Sequence, residues 1–301
     1  MIDFLKTLPR PTATYHTKPY PAISPTRPEL SLKGKNILIT GGATGIGLAI
    51  TTALATASAS NIHILARTAG PLLSTKASLE ALYPPTIIHA HTGSISSPQD
   101  IARVLDEAGD IDILVLSAGR SQPIAPTAAI PPEELRADFE LNVLANMSLI
   151  SAYLARPAKA ERTIIHISTG GAYMSGMGTA GYGASKLAMS KLMSDIHIEA
   201  LPHAGTAQGV RAFTFHPAVA FTQMAADVFG LGKDDLEWDD RRAANLPGQF
   251  VVWLASPEAD FVRGRFLWAH WDVEELKAKK HTIEANSNLL TMKPEIAGLT
   301  D

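Results

Sequence analysis

Seven short apolar runs, each followed by a stretch long enough to hold a helix, constrain this chain more than any other feature. They are "NILIT" (36–40), "NIHILA" (61–66), "TIIHA" (86–90), "DILVL" (112–116), "TIIHIS" (163–168), "VRAFTF" (210–215) and "RFLWA" (265–269). Short runs that are almost continuously apolar read as strands buried on both faces. Parallel strands need long crossovers, and the crossover helices must cover the sheet on both sides. The expectation is a doubly wound α/β fold with a seven-stranded parallel sheet. A ligand then belongs beyond the carboxyl ends of the strands, where the strand order reverses.

The chain has 301 residues, 46% of them hydrophobic, enough for one large core. With 18% charged residues and a formal net charge of −3 it has no global basic field, which argues against a nucleic-acid partner. No apolar run approaches the roughly 18 residues that a membrane helix needs. Cysteine is absent, which removes disulfides, thiolate metal sites and cysteine nucleophiles together and fits a reducing, cytoplasmic setting. Pro9, Pro11, Pro19, Pro21, Pro25 and Pro28 make residues 1–31 an extended arm. Residues 32–272 read as one domain, and residues 273–301, after Trp268 and Trp271, as an extension packed on the domain or on a partner subunit.

The first run leads into "TGGATGIG", in which Thr40, Gly41, Gly42, Ala43, Thr44, Gly45, Ile46 and Gly47 precede a helical pattern. Glycines between strand and helix let backbone approach a pyrophosphate, which the helix N-terminus attracts. The context is that of a Rossmann-like dinucleotide site. At the end of the second run, Ala66 stands where NAD-binding proteins keep a carboxylate for the ribose 2′-hydroxyl, and Arg67 and Thr68 follow. A guanidinium there can grip a 2′-phosphate. NADP(H) is the expected cofactor, with Arg67 as the main determinant and Thr44 and Thr68 as helpers.

In "YGASK", Tyr182 and Lys186 lie four apart, on one face of a helix. A free phenol loses its proton near pH ~10. A neighbouring ammonium and a positive nicotinamide favour the phenolate, so Tyr182 is expected to titrate lower and to exchange protons with an alcohol or ketone.

Taken together, "TGGATGIG" and "YGASK" make the chain resemble the short-chain dehydrogenase/reductase family over about residues 32–272, while the proline-rich arm and the C-terminal extension resemble those of its fungal members. The resemblance implies a catalytic set of Asn142, Thr169, Tyr182 and Lys186, with Lys186 also on the nicotinamide ribose and Asn142 in a water-linked proton path. The family's serine falls thirteen residues before the tyrosine, on Thr169, with Ser168 as the alternative. Of the family's N-N-A-G segment only Ala118 and Gly119 remain, after Leu116 and Ser117. Ser94 and the Ile95 backbone are expected at the adenine. P-G-x-x-x-T appears as Pro217, Ala218, Val219, Ala220, Phe221 and Thr222, and Pro217, Val219, Ala220 and Thr222 are expected near the nicotinamide. The full cofactor set is Gly41, Thr44, Gly45, Ile46, Gly47, Arg67, Thr68, Ser94, Ile95, Ser117, Ala118, Gly119, Tyr182, Lys186, Pro217, Val219, Ala220 and Thr222.

The family further implies a carbonyl or secondary-alcohol substrate and a homodimer or homotetramer paired through the helices around Asn142 and Tyr182. A non-redox cyclase or isomerase on the same fold, or a cofactor-sensing binding protein, are the rival readings. No metal is expected, and His89 and His91, alternating along one strand, read as sheet residues. The loops around 120–130, 170–180 and 222–242 are expected to choose a hydrophobic substrate, the acidic run at 232–242 acting as a lid.

Overall fold

Hydrogen bonding resolves the apolar runs into seven strands: β1 (Asn36–Thr40), β2 (Asn61–Ala66), β3 (Ile87–Thr92), β4 (Ile113–Leu116), β5 (Arg162–Ile167), β6 (Val210–His216) and β7 (Phe266–Trp268). The computed structural model describes residues 7–157, 161–201, 209–230, 232 and 245–292. Every strand pairing is parallel, and the spatial order is β3-β2-β1-β4-β5-β6-β7. The direction of winding therefore reverses between β1 and β4, which opens a crevice beyond their carboxyl ends.

The helices are α1 (Gly45–Thr56), α2 (Ala69–Leu82), α3 (Pro98–Ala108), α4 (Pro132–Phe139), α5 (Asn146–Leu154), α6 (Ala180–Glu199), α7 (Gln223–Phe229), α8 (Asn245–Ala255), α9 (Val273–Ala278) and α10 (Lys280–Ala285). Ile37, Ile39, Ile62 and Ile64 share a buried layer with α1, α2 and α8. Leu38, Leu114 and Ile164 face the other way, onto α3, α5 and α6. Period-two alternation of strand side chains thus builds two cores from one sheet. Local signals place the helices: Ser97 caps α3 by accepting from the Asp100 amide, and Pro98 starts it. The stripe Ile101, Val104, Leu105 and Ala108 then buries itself against the sheet.

The proline-rich arm lies along the chain's far end. Tyr15 bridges antiparallel to Trp271, and the Tyr20 hydroxyl donates to the Trp271 carbonyl (3.0 Å) while accepting from the Val273 amide (3.1 Å). Arg27 pairs with Glu258 at 2.6 Å, and Ile23 and Leu30 are fully buried. Residues near the other terminus guard the last strand, where the Phe266 amide donates to the Leu290 carbonyl at 2.7 Å. Together they leave little of the β7 edge open to a stray strand.

Candidate active site

The loop leaving β1 can be built only from small residues. Gly41 has φ +68°, and a side chain there would press on the Ala118 backbone at 3.1 Å. At Gly47 a Cβ would fall 2.1 Å from the Gly41 carbonyl oxygen. Thr44, which precedes α1, is extended and makes no side-chain cap, so the first N–H groups of that helix have no side-chain acceptor. They open on a cleft of ≈ 350 Å3 whose wall includes Gly41 and every residue from Ala43 to Gly47. Free amides, a helix N-terminus and backbone that tolerates no Cβ fit a pyrophosphate. The Thr40 hydroxyl accepts from the Ser117 and Ala118 amides, both at 3.1 Å, so β1 and the chain after β4 are fastened without the family's asparagines.

The end of the cleft beside β2 and β3 is lined by Ala66, Arg67, Thr68, Gly93, Ser94 and Ile95. Arg67 is exposed and has no ion pair among the described residues, so its guanidinium is available to an incoming anion. The Ser94 amide is held by Asp100 at 3.0 Å, which fixes the turn after β3. Ser117, Ala118 and Gly119 supply the facing wall.

Tyr182 and Lys186 both stand on the wall of this cleft, one turn apart on α6. The Lys186 ammonium donates to the Ile167 carbonyl at 2.8 Å and lies 5.9 Å from the centre of the Tyr182 ring. Burial pulls the Lys186 amine down to about 8. Contrary to the expectation from sequence, the Tyr182 phenol is pushed up, to about 12, by burial and then by the Asp138 carboxylate. Desolvation of the phenolate outweighs the ammonium in the protein alone.

Asn142 occupies a π-helical turn (Glu140–Ala145) between α4 and α5. Its Oδ1 accepts from the Arg120 amide (3.0 Å), and its Nδ2 donates to the Arg120 carbonyl and to Ser185 Oγ, both at 2.9 Å. Ser185 Oγ donates in turn to the Tyr182 carbonyl at 2.8 Å. Asn142 therefore reaches the tyrosine through its backbone from behind the cleft.

Ser168 and Thr169 separate clearly. Ser190 Oγ donates to the Lys186 carbonyl (2.7 Å), which makes Ser168 the donor in the 3.0 Å contact between the two serine hydroxyls. The Ser168 proton is thus used inside the protein, although the residue borders the cleft. Thr169 Oγ1 accepts from the Gly171 amide at 3.2 Å and keeps its own proton for another acceptor.

Pro217 and Thr222 line the cleft, and Thr222 caps α7 by accepting from the Ala225 amide at 3.0 Å. Thr169, Val219, Ala220 and Asn142 stand outside its immediate lining. Ala218, where the family has glycine, is buried at φ +102°, a strained backbone for a residue with a Cβ. Pro71 of α2, Leu141 of the π-helical turn and Ile167 at the end of β5 line the cleft without a sequence signal that marked them, since apolar residues look alike whether they pack or border a pocket, while Gln223 and Met224 open α7 within the 222–242 stretch expected to choose the substrate. Of the acidic run at 232–242 only Gly232 lies within the described residues. His89 and His91 meet a third histidine: His63 Nδ1 lies 2.9 Å from His91 Nε2 and stacks on His89 at 4.1 Å, while His91 Nδ1 lies 2.9 Å from Glu107.

The chain is similar to known proteins over most of its length. Residues 35–230 match the short chain dehydrogenase family. The chain is 39% identical over 283 residues to the short chain dehydrogenase/reductase AacuD of the fungus Aspergillus aculeatus, covering 94% of this chain and 96% of that one. Among solved structures, a short chain dehydrogenase from Pseudomonas syringae shares 27% identity at a TM-score of 0.67, covering 81% of this chain and 97% of its own. The Pseudomonas aeruginosa RhlG/NADP complex has the same fold at 23% identity and a TM-score of 0.67, covering 80% of this chain and 97% of its own.

Proposed function

The chain belongs to the short-chain dehydrogenase/reductase family of nicotinamide-dependent oxidoreductases, and from that premise we propose that it uses NADP(H) to interconvert a hydrophobic ketone and its secondary alcohol, reduction being the working direction. One observation carries this reading: Tyr182 and Lys186 share a single cleft with the amide cradle of α1 and with the Ala66–Arg67 end of β2.

Bound NADP(H) supplies or takes up the hydride. The protein supplies the rest. Amides from Ala43 to Gly47 hold the pyrophosphate, and Arg67 pairs with the 2′-phosphate where no carboxylate repels it. Tyr182, kept as a neutral phenol, gives its proton to the carbonyl oxygen, and Thr169 donates a second hydrogen bond to the same oxygen. As the phenol loses its proton, the Lys186 ammonium favours the phenolate left behind. Leu141, Ile167 and Met224 on the cleft wall favour an apolar substrate.

Leu144 in the π-helical turn and Leu187 on α6 are 56% and 39% exposed, which supports pairing of two copies through these helices. Light scattering tests it. No helix among the described residues is long and apolar enough to cross a membrane.

The test of function is loss of NADPH absorbance against a panel of hydrophobic ketones, with NADH in parallel. Consumption of NADPH ahead of NADH supports the proposal. Tight NADPH binding with no consumption across the panel turns the reading toward a cyclase, an isomerase or a cofactor sensor.

A further inference from the structure

Helix α6 begins without a cap of its own. Thr179 precedes it and makes no side-chain hydrogen bond, yet the amide of Tyr182 in the first turn is satisfied. Its acceptor is Oε1 of Gln122, at 2.9 Å, from the loop after β4. The tyrosine's own peptide groups are thus gripped on both sides, the amide by Gln122 and the carbonyl by Ser185 at 2.8 Å. Both grips lead back to one short segment: Ser185 is held by Asn142, Asn142 holds the backbone of Arg120, and Gln122 lies two residues further on.

Beneath Gln122 is a carboxylate with no exposure at all. Asp138, on α4, has Oδ2 3.3 Å from the Gln122 amide and Oδ1 3.0 Å from the Arg120 guanidinium, which also pairs with Glu134. A Cβ added at Gly181 would sit 3.1 Å from Asp138 and 3.3 Å from Gln122, so the glycine lets both groups close on the start of α6. Gln122 is 1% exposed, and its side-chain Nε2 makes no hydrogen bond. A buried polar side chain with one bond made and one unmade costs stability, so packing alone gives no reason for a glutamine here.

We propose that Gln122 and Asp138 are positioning residues for Tyr182: Gln122 caps the tyrosine's own amide and so fixes where the phenol enters the cleft, and Asp138 places a negative charge behind it. The proposal rests on the reading of Tyr182 as proton donor. The charges acting on the phenol are Lys186 on its own helix and Asp138 on α4; Asp138 is paired with Arg120, which also pairs with Glu134, and His166 of β5 is buried near Lys186. Burial and Asp138 both hold Tyr182 in the protonated state, the form that gives a proton to a carbonyl.

The experiment is a pH titration of the protein carrying 13Cζ-labelled tyrosine, with NADP+ bound, the Tyr182 resonance being the one missing from Tyr182→Phe. In Asp138→Asn the ionisation midpoint is expected to fall by about half a pH unit or more, about a threefold rise in phenolate at a fixed pH below the midpoint. In Gln122→Leu the Tyr182 resonance shifts and its amide exchanges with solvent about tenfold faster or more; Gln122→Glu, which keeps an acceptor, restores both. An unmoved midpoint in Asp138→Asn, or a Tyr182 resonance and amide exchange identical to wild type in Gln122→Leu, overturns the proposal. Should Asp138→Asn not fold, Gln122→Leu with its rescue decides alone. No readout depends on turnover, so an inactive protein with a shifted midpoint removes the redox reading only, and an active one with an unmoved midpoint removes this one only.

Discussion

The Lys186 ammonium stands 5.9 Å from the centre of the Tyr182 ring while its hydrogen bond goes to the Ile167 carbonyl. The lysine therefore acts on the phenol through its field. That field does not win in the protein alone, where burial and Asp138 still hold the phenol at about 12. The resting protein keeps the phenol protonated, the form that gives a proton to a carbonyl oxygen.

Arg67 carries the cofactor choice. Arg67→Asp is expected to weaken NADPH binding by about tenfold to a hundredfold, the loss of a charge-assisted hydrogen bond, while NADH binding holds or improves. Dissociation constants for both cofactors check it, and an unchanged preference for NADPH removes the assignment.

Thr169 is the free hydroxyl of the adjacent pair. Thr169→Ala is expected to lower kcat by about tenfold, the value of one hydrogen bond to the substrate oxygen, with NADPH affinity unchanged. Ser168→Ala removes only the contact to Ser190 and should keep most of the turnover. The reverse pattern would move the role to Ser168.

Ala218 stores strain. At φ +102° a Cβ is disfavoured, so Ala218→Gly should raise stability by about 1 kcal/mol, read as a higher urea midpoint. An unchanged or lower midpoint would mean that the buried methyl contributes more than the backbone loses.

The His63, His89 and His91 cluster makes the fold acid-sensitive. Burial lowers all three, His63 from the ordinary 6.5 to about 3. Below pH 6.5 the unfolded chain takes up protons that the folded cluster refuses, so stability falls with pH, by up to about 1.4 kcal/mol per unit for one such group, until His63 itself protonates. Urea midpoints at pH 7.5 and 5 should fall less in His63→Phe than in wild type. Equal falls would remove the cluster from the account.

The seven strands were legible because each is an almost continuously apolar run, and their ends moved by at most two residues. The cofactor cradle was legible because its glycines answer to backbone demands that no other residue meets, and Tyr182 and Lys186 because helical spacing alone puts them on one face. Gln122 and Asp138 were not, because a cap reaching sixty residues along the chain leaves no local pattern. The direction of the Tyr182 shift escaped for the same reason: it depends on burial and on a carboxylate 44 positions away, neither visible in "YGASK". Nor could the arm's docking be read, since prolines declare an extended chain without saying what it lies on.

The central claim is that Tyr182 gives the proton. Steady-state reduction of a ketone that the wild type accepts, measured beside NADPH binding for Tyr182→Phe, tests it most directly. The account predicts a fall in kcat of about a hundredfold to ten-thousandfold with NADPH still bound at close to wild-type affinity. Turnover by Tyr182→Phe near the wild-type rate would contradict it.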